Sequence, residues 1–193
     1  MIRAGSRIVG IDDSPFAARG GAARPRTRVL VIGVLMRGHD RVDGILSTHV
    51  VRDGFGATAA LARMLTTGRL AGQAQAVLLD GIALGGFNVI DLPRLSASVG
   101  VPVIAVMRRM PNLRAVRAAM ARTSSPGRRW RTLQRAGPIL RAGRLWFQAA
   151  GVSPEQARMI LAVASPEGGY PEALRLAHLI GGGVVNGTSR GGA

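Results

Sequence analysis

The chain has 193 residues and a mass of 20.1 kDa, with 26 basic and 10 acidic side chains, a formal net charge of +16 and a pI near 12. That length and a hydrophobic content of 47% support one sizeable core, which excludes a disordered tail or a mini-protein that needs staples. Cysteine is absent, so disulfides, thiolate metal sites and a cysteine nucleophile are excluded, and any metal must rest on carboxylates or histidine. All 26 basic residues are Arg, which together with abundant Ala and Gly marks a GC-rich coding bias. Exchanging Lys for Arg leaves charge unchanged, so the excess still calls for an anionic partner, nucleic acid first. No stretch of 18 apolar residues occurs and the start lacks a signal-peptide pattern, so a cytoplasmic protein without membrane association is expected.

The first ninety residues read as strands with one helix. Residues 7 to 12, RIVGID, and 28 to 36, RVLVIGVLM, are apolar runs rich in β-branched residues, the second apolar enough to be buried on both faces. Between them residues 15 to 27 form a loop. Residues 42 to 51, VDGILSTHVV, complete an antiparallel meander, with Asp43-Gly44 as a turn or bulge. Residues 56 to 66 have helical spacing, AVLL at 76 to 79 is a fourth strand, and Asp91 caps a helix that runs to 99. VPVIAVM at 101 to 107 is a fifth strand. Helices follow at 111 to 122, at 153 to 164 behind Ser153 and Pro154, and at 171 to 180 before a Gly-rich ending. The expected fold is α/β and ribonuclease H-like: a mixed five-stranded sheet, three antiparallel strands then two parallel, flanked by helices. One domain spans 1–193, with an Arg-rich helical part at 108–150 and a flexible tail at 187–193.

Four of the ten acids fall where an α/β sheet tends to place chemistry. Asp12 and Asp13 close the first strand, Asp53 follows the third in RDGFG, and Asp80 ends the fourth in LLDG. If the first and fourth strands are parallel neighbours, Asp12 and Asp80 emerge side by side at the carboxyl edge. Two or three such carboxylates suit hard cations such as Mg²⁺ or Mn²⁺ in phosphodiester hydrolysis, although Asp-Gly after a strand is also an ordinary turn device. No acidic residue occurs from Leu92 to Pro154, whereas Arg108, Arg109, Arg114, Arg117, Arg128, Arg129 and Arg131 fall there with Trp130, Trp146 and Phe147 interleaved. That pattern suits backbone tracking and base stacking on DNA or RNA, and equally a solvated face or an acidic protein partner. His178 lies on the last helix, where a packed or surface role is the ordinary expectation and proton transfer the sharper one.

IVGIDDSPF, VDGILSTHVVRDGFGATAAL, VLLDGIALGGFNVIDL, VPVIAVMRRMPNL and PEALRLAHLIGGGVVNGTSRGGA together resemble the DUF99 (UPF0215) family across nearly the whole chain. That family is similar in fold to endonuclease V, a ribonuclease H-like nuclease that uses Mg²⁺ on two aspartates and a glutamate. The resemblance implies Asp12 in IDDS as the first ligand, Asp53 in RDG at the glutamate's place and Asp80 in LLDG as the third, with Asp13 assisting. It implies an endonuclease V-like domain and a metal-dependent nucleic-acid-binding protein with phosphodiesterase activity. The alternative keeps the fold without a competent metal centre. The nuclease's Pro-Tyr-Ile-Pro-type wedge has no counterpart here, so the resemblance implies no preference for a deaminated base.

Overall fold

The computed structural model describes residues 2–16 and 27–189, so most of the 15 to 27 loop and the end of the tail lie outside the described residues. The strands β1 (Arg7–Asp13), β2 (Arg28–Arg37), β3 (Arg41–Val51), β4 (Ala76–Asp80), β5 (Ala83–Leu84), β6 (Asn88–Val89), β7 (Val103–Met107), β8 (Leu140–Ala142) and β9 (Leu145–Ala150) alternate with six helices. These are α1 (Ala57–Thr66), α2 (Leu92–Val99), α3 (Leu113–Met120), α4 (Pro126–Arg135), α5 (Pro154–Ala164) and α6 (Glu172–Asn186).

The main sheet has the order β3-β2-β1-β4-β7-β9-β8, and β5-β6 is a separate hairpin. β1 to β3 form the antiparallel meander, and β1, β4 and β7 are parallel neighbours, as expected. The sheet is larger than expected by two strands. The second half of the Arg-rich part is not helical: β9 adds antiparallel to β7, and β8 to β9. LWFQAA carries two aromatics and buries Leu145, Phe147 and Gln148 against its neighbours, and sheet pairing of that kind outweighs the helical reading.

Asp43 is the bulged residue of β3, since Leu35 pairs with Gly44 and Met36 with Val42. Its carboxylate is clamped by Arg7 and Arg37, each at 2.8 Å. Asp91 caps α2 and Ser153 caps α5 in a capping box with Gln156, both as the sequence indicates.

The sheet is covered on both faces, with α1 and α2 over one core and α5 over another. Helix α6 packs Ala173 and Ala177 on Ile32, Val34 and Met36 of β2. It also lies on β1 at Gly10, where an added Cβ would come within 2.5 Å of the Ala173 backbone. Backbone cannot yield as a side-chain tip does, so Gly10→Ala is expected to cost about 2–3 kcal/mol by overpacking, a Tm fall of roughly 5–10 °C by thermal melt. Helix α6 also runs six residues past the expected stop. Gly181 and Gly182 stay helical because they are buried, and a Cβ at Gly181 would meet Ser14 Oγ at 2.6 Å. Close approach here outweighs the low helix propensity of Gly.

Candidate functional site

The topology decides which residues meet. β1, β3, β4 and β7 all point the same way, so their C-terminal ends bring Asp12, Asp13, Asp53, Asp80 and Arg108 to one edge of the sheet. Crevices at this edge are where open α/β sheets place ligands.

Asp12 is 5% exposed. Burial, then the charge of Asp80, then that of Asp13 push its carboxyl up to about 8. Burial likewise raises Asp13. Burial dominates both shifts, and the Asp80 charge adds to each; among the described residues, no arginine pairs with Asp12, Asp13 or Asp80. Instead, Asp12 Oδ1 accepts from its neighbour's backbone N–H at 2.8 Å, and Oδ2 lies 2.9 Å from His178 Nδ1. Asp13 Oδ2 accepts from Gly85 N at 2.7 Å.

His178 is therefore part of the site, brought to Asp12 by α6. Its side chain is 43% exposed and borders a pocket of about 410 Å³ lined also by Pro15, Gly182, Asn186, Thr188 and Ser189. Sequence reasoning names His178 but misses Tyr170, just before α6. Its hydroxyl is buried and makes no hydrogen bond of ordinary geometry, yet it stands close to Asp80. Burial and then the Asp80 charge drive its ionisation upward, so the phenol stays protonated. The Arg108 guanidinium stacks 3.7 Å from the Tyr170 ring centroid, which holds that cation at the same edge.

Asp53 reaches the edge but stands one segment away. Its backbone N–H donates to Gly85 O at 2.8 Å, and its Oδ1 accepts from Phe87 N at 2.9 Å. The Gly85 peptide thus bridges Asp13 and Asp53, and Arg52 lies 3.8 Å from Asp53 Oδ2. Among the described residues, no group of three or more His, Asp or Glu side chains is gathered at metal-binding spacing. The edge collects carboxylates but does not close them into a cage.

Of the arginines expected to contact nucleic acid, Arg108, Arg109, Arg114, Arg117, Arg128 and Arg131 are exposed. Arg129 requires correction. It is 1% exposed and donates to the carbonyls of Gly54 (2.8 Å) and Ser124 (3.0 Å) and to those of Asp53 and Phe87. The cause is helical phase: Arg129 and Leu133 form the buried face of α4, so this guanidinium ties α4 to the Asp53 corner instead of facing solvent. Trp130 and Trp146 are half-buried, with Arg117 5.4 Å and Arg141 5.7 Å from the respective ring centroids.

The chemistry of Asp12, Asp13 and Asp80 fits a divalent cation: they are hard oxygen donors at one sheet edge and, among the described residues, no arginine lies within ion-pair distance of them, His178 being the partner of Asp12. No helix among the described residues is long and apolar enough to cross a membrane.

Comparison with known proteins agrees with this architecture. The sequence model of the Endonuclease dU family matches residues 4–185. A UPF0215 protein of Methanothermobacter thermautotrophicus is 39% identical, with 100% of this chain and 94% of that one covered. Another, from Deinococcus radiodurans, is 40% identical over 96% of this chain and 92% of its own. Among solved structures, a protein of unknown function from Archaeoglobus fulgidus superimposes with a TM-score of 0.84 at 32% identity, covering 93% of this chain and 98% of that one. Endonuclease V of Bacillus subtilis gives 0.55 at 9% identity, covering 89% of this chain and 77% of its own, a likeness of fold alone. Endonuclease V of Ciona intestinalis, crystallised with a 24mer DNA containing an inosine, gives 0.53 at 13% identity over 89% of this chain and 82% of that one.

Proposed function

The chain belongs to the Endonuclease dU family, and from that premise we propose that it is a nucleic-acid-binding, divalent-metal-dependent endonuclease whose site is the carboxylate edge. The observation that carries the reading is the placement of Asp12, Asp13 and Asp80 at one edge of the sheet, where burial, and then the charges of Asp80 and Asp13, raise Asp12 to about 8. Asp12, Asp80 and Asp53 are the proposed ligands of Mg²⁺ or Mn²⁺, with Asp13 beside them. Such a cation, when bound, lowers the pKa of water and offsets charge on the phosphate in hydrolysis.

The chain's own residues supply the rest. His178, held at Nδ1 by Asp12, is fixed in orientation and is our candidate for moving the proton to or from a reacting oxygen. Arg108, packed on Tyr170, offers a fixed positive charge for a phosphate beside Asp80. The exposed arginines of α3 and α4, Arg114, Arg117, Arg128 and Arg131, extend that charge away from the carboxylates along the path of a polyanion. Hence affinity should fall steeply with salt, with a slope of about −3 to −5 in log K against log salt for four to six neutralised phosphates. Titrations at several salt concentrations check this, and Arg114→Ala is expected to reduce the slope by about one.

The family's description names dU, and we take deoxyuridine-containing DNA as the first substrate to try. The test is incubation of labelled single- and double-stranded DNA, with and without a deoxyuridine, and RNA, with and without Mg²⁺ or Mn²⁺. Cleavage that requires the ion and disappears in Asp80→Asn supports the reading. Salt-dependent binding without cleavage under every condition favours a binding protein, a reading for which the separate placement of Asp53 and the open arrangement of the carboxylates speak.

A further inference from the structure

One exposed aromatic ring stands out beside the site. Phe55 is 41% exposed, two residues past Asp53 in the corner between β3 and α1. The Arg129 guanidinium lies 4.0 Å and that of Arg128 4.5 Å from its ring centroid. Arg129 is buried and fixed, whereas Arg128 is exposed to solvent.

The corner itself is held firmly. Asp53 has φ 51, a left-handed conformation that a non-glycine residue rarely adopts and that costs about 1–3 kcal/mol. Arg129 pins it there through the carbonyls of Asp53 and Gly54, and the buried Asn88 adds bonds to Ala57 N at 3.0 Å and Val51 O at 3.1 Å. A ring on so constrained a backbone is presented with little entropy left to lose on binding.

We propose that the exposed ring of Phe55, backed by Arg128 and Arg129, is a stacking subsite for an unpaired nucleobase, so that the protein engages single-stranded or locally melted nucleic acid beside Asp53. Two features select this occupant. An exposed aromatic next to an exposed guanidinium offers a π-face and a phosphate contact together, and a nucleotide supplies both partners. An acidic peptide answers only the charge. In a paired duplex the faces of the bases are already stacked on each other, so the subsite discriminates by strand state and not by sequence. The inference rests on the nucleic-acid reading above.

The experiment uses a single-stranded oligonucleotide carrying 2-aminopurine and the fully paired duplex of the same sequence, with wild type, Phe55→Leu, Phe55→Trp and Arg114→Ala. Wild type is expected to quench the 2-aminopurine of the single strand. Phe55→Leu should lose the quenching and bind the single strand about 10-fold more weakly, with duplex affinity within about twofold of wild type and an unchanged melting temperature. Phe55→Trp should restore both. Arg114→Ala should weaken both strands alike, as expected of a phosphate contact. If Phe55→Leu leaves single-strand affinity and quenching intact, or weakens single strand and duplex equally, the stacking subsite is overturned while nucleic-acid binding stands. If wild type binds neither form, the proposed function falls first, and the subsite with it.

Discussion

Asp12→Asn is expected to make the metal-free protein more stable at pH 8 while removing the metal-dependent cleavage proposed for it. The sign follows from linkage. The Asp12 carboxyl stands near 8 in the folded protein against 3.8 as its ordinary value, with burial first and the charges of Asp80 and Asp13 next as causes. Between these values the folded state holds a proton that the unfolded state has released, so each unit of rising pH favours unfolding. Stability from this group is fully present below about pH 4 and is lost progressively as pH rises to about 8.

Asparagine keeps the shape and never ionises, so it escapes the loss. The full shift would exceed 5 kcal/mol at about 1.4 kcal/mol per unit, but residual solvent and coupling to Asp13 and Asp80 reduce it, and about 3 kcal/mol is the expected gain near pH 8. Thermal melts in chelator should show Asp12→Asn about 6–12 °C above wild type at pH 8 and much closer to it at pH 4.5. Cleavage by the same variant should fall on the order of 10³-fold, as for removal of one electrostatic clamp. Equal melting curves at both pH values would contradict this account of the cluster.

Arg129→Met is expected to be the most damaging substitution in the arginine-rich tract. Methionine fills similar space but leaves the carbonyls of Asp53, Gly54, Phe87 and Ser124 without their shared donor. Losing a buried charged donor with several acceptors costs about 3–5 kcal/mol, and in a chain of this size the Tm should drop by roughly 10 °C or more. Lys in its place keeps the charge but not the planar fork, so Arg129→Lys should recover only part. The neighbouring exposed Arg131→Met should change stability by no more than about 0.5 kcal/mol. Denaturant melts of the three variants decide the point, and equal stability of Arg129→Met and Arg131→Met would contradict the assigned clamp.

The contrast between those two arginines shows what the sequence makes legible. Asp12 and Asp80 were readable because a carboxylate at the end of an apolar β-branched run must emerge at a sheet edge, and parallel pairing of β1 and β4 follows from the order of elements. Arg129 was hidden in a run of like charges that reads as one solvated surface. The phase was nevertheless present: Arg129, Leu133 and Ala136 share a helical stripe, and all three are buried. The strands β8 and β9 escape the sequence reading for a related reason, since Arg141 and Arg144 just before LWFQAA mask a short apolar strand that pairs with β7 on one side and β8 on the other.

His178 and Tyr170 illustrate a different limit. Most of the chain separates His178 from Asp12, and no local pattern joins them. What brings them together is the close seating of α6 on β1 at Gly10, a contact that depends on the three-dimensional course of the chain. The sequence does carry one hint, because His178 lies beside the buried stripe formed by Leu174, Ala177 and Gly181 and so faces inward across the helix edge. Asp53 lies at the end of β3 on the same edge, but the Gly85–Phe87 segment that separates it from Asp13 is visible only in the folded chain.

The central claim is that the carboxylate edge is a divalent-cation site, and calorimetric titration of the wild-type protein with Mn²⁺ at pH 7, in buffers of different ionisation enthalpy, tests it most directly. Asp12 is protonated at that pH and must release its proton to become a ligand, so the account predicts binding with release of about one proton. It also predicts at least a 10-fold loss of affinity in Asp80→Asn. Absence of Mn²⁺ binding, or binding of equal strength in wild type and Asp80→Asn with no proton released, would contradict it.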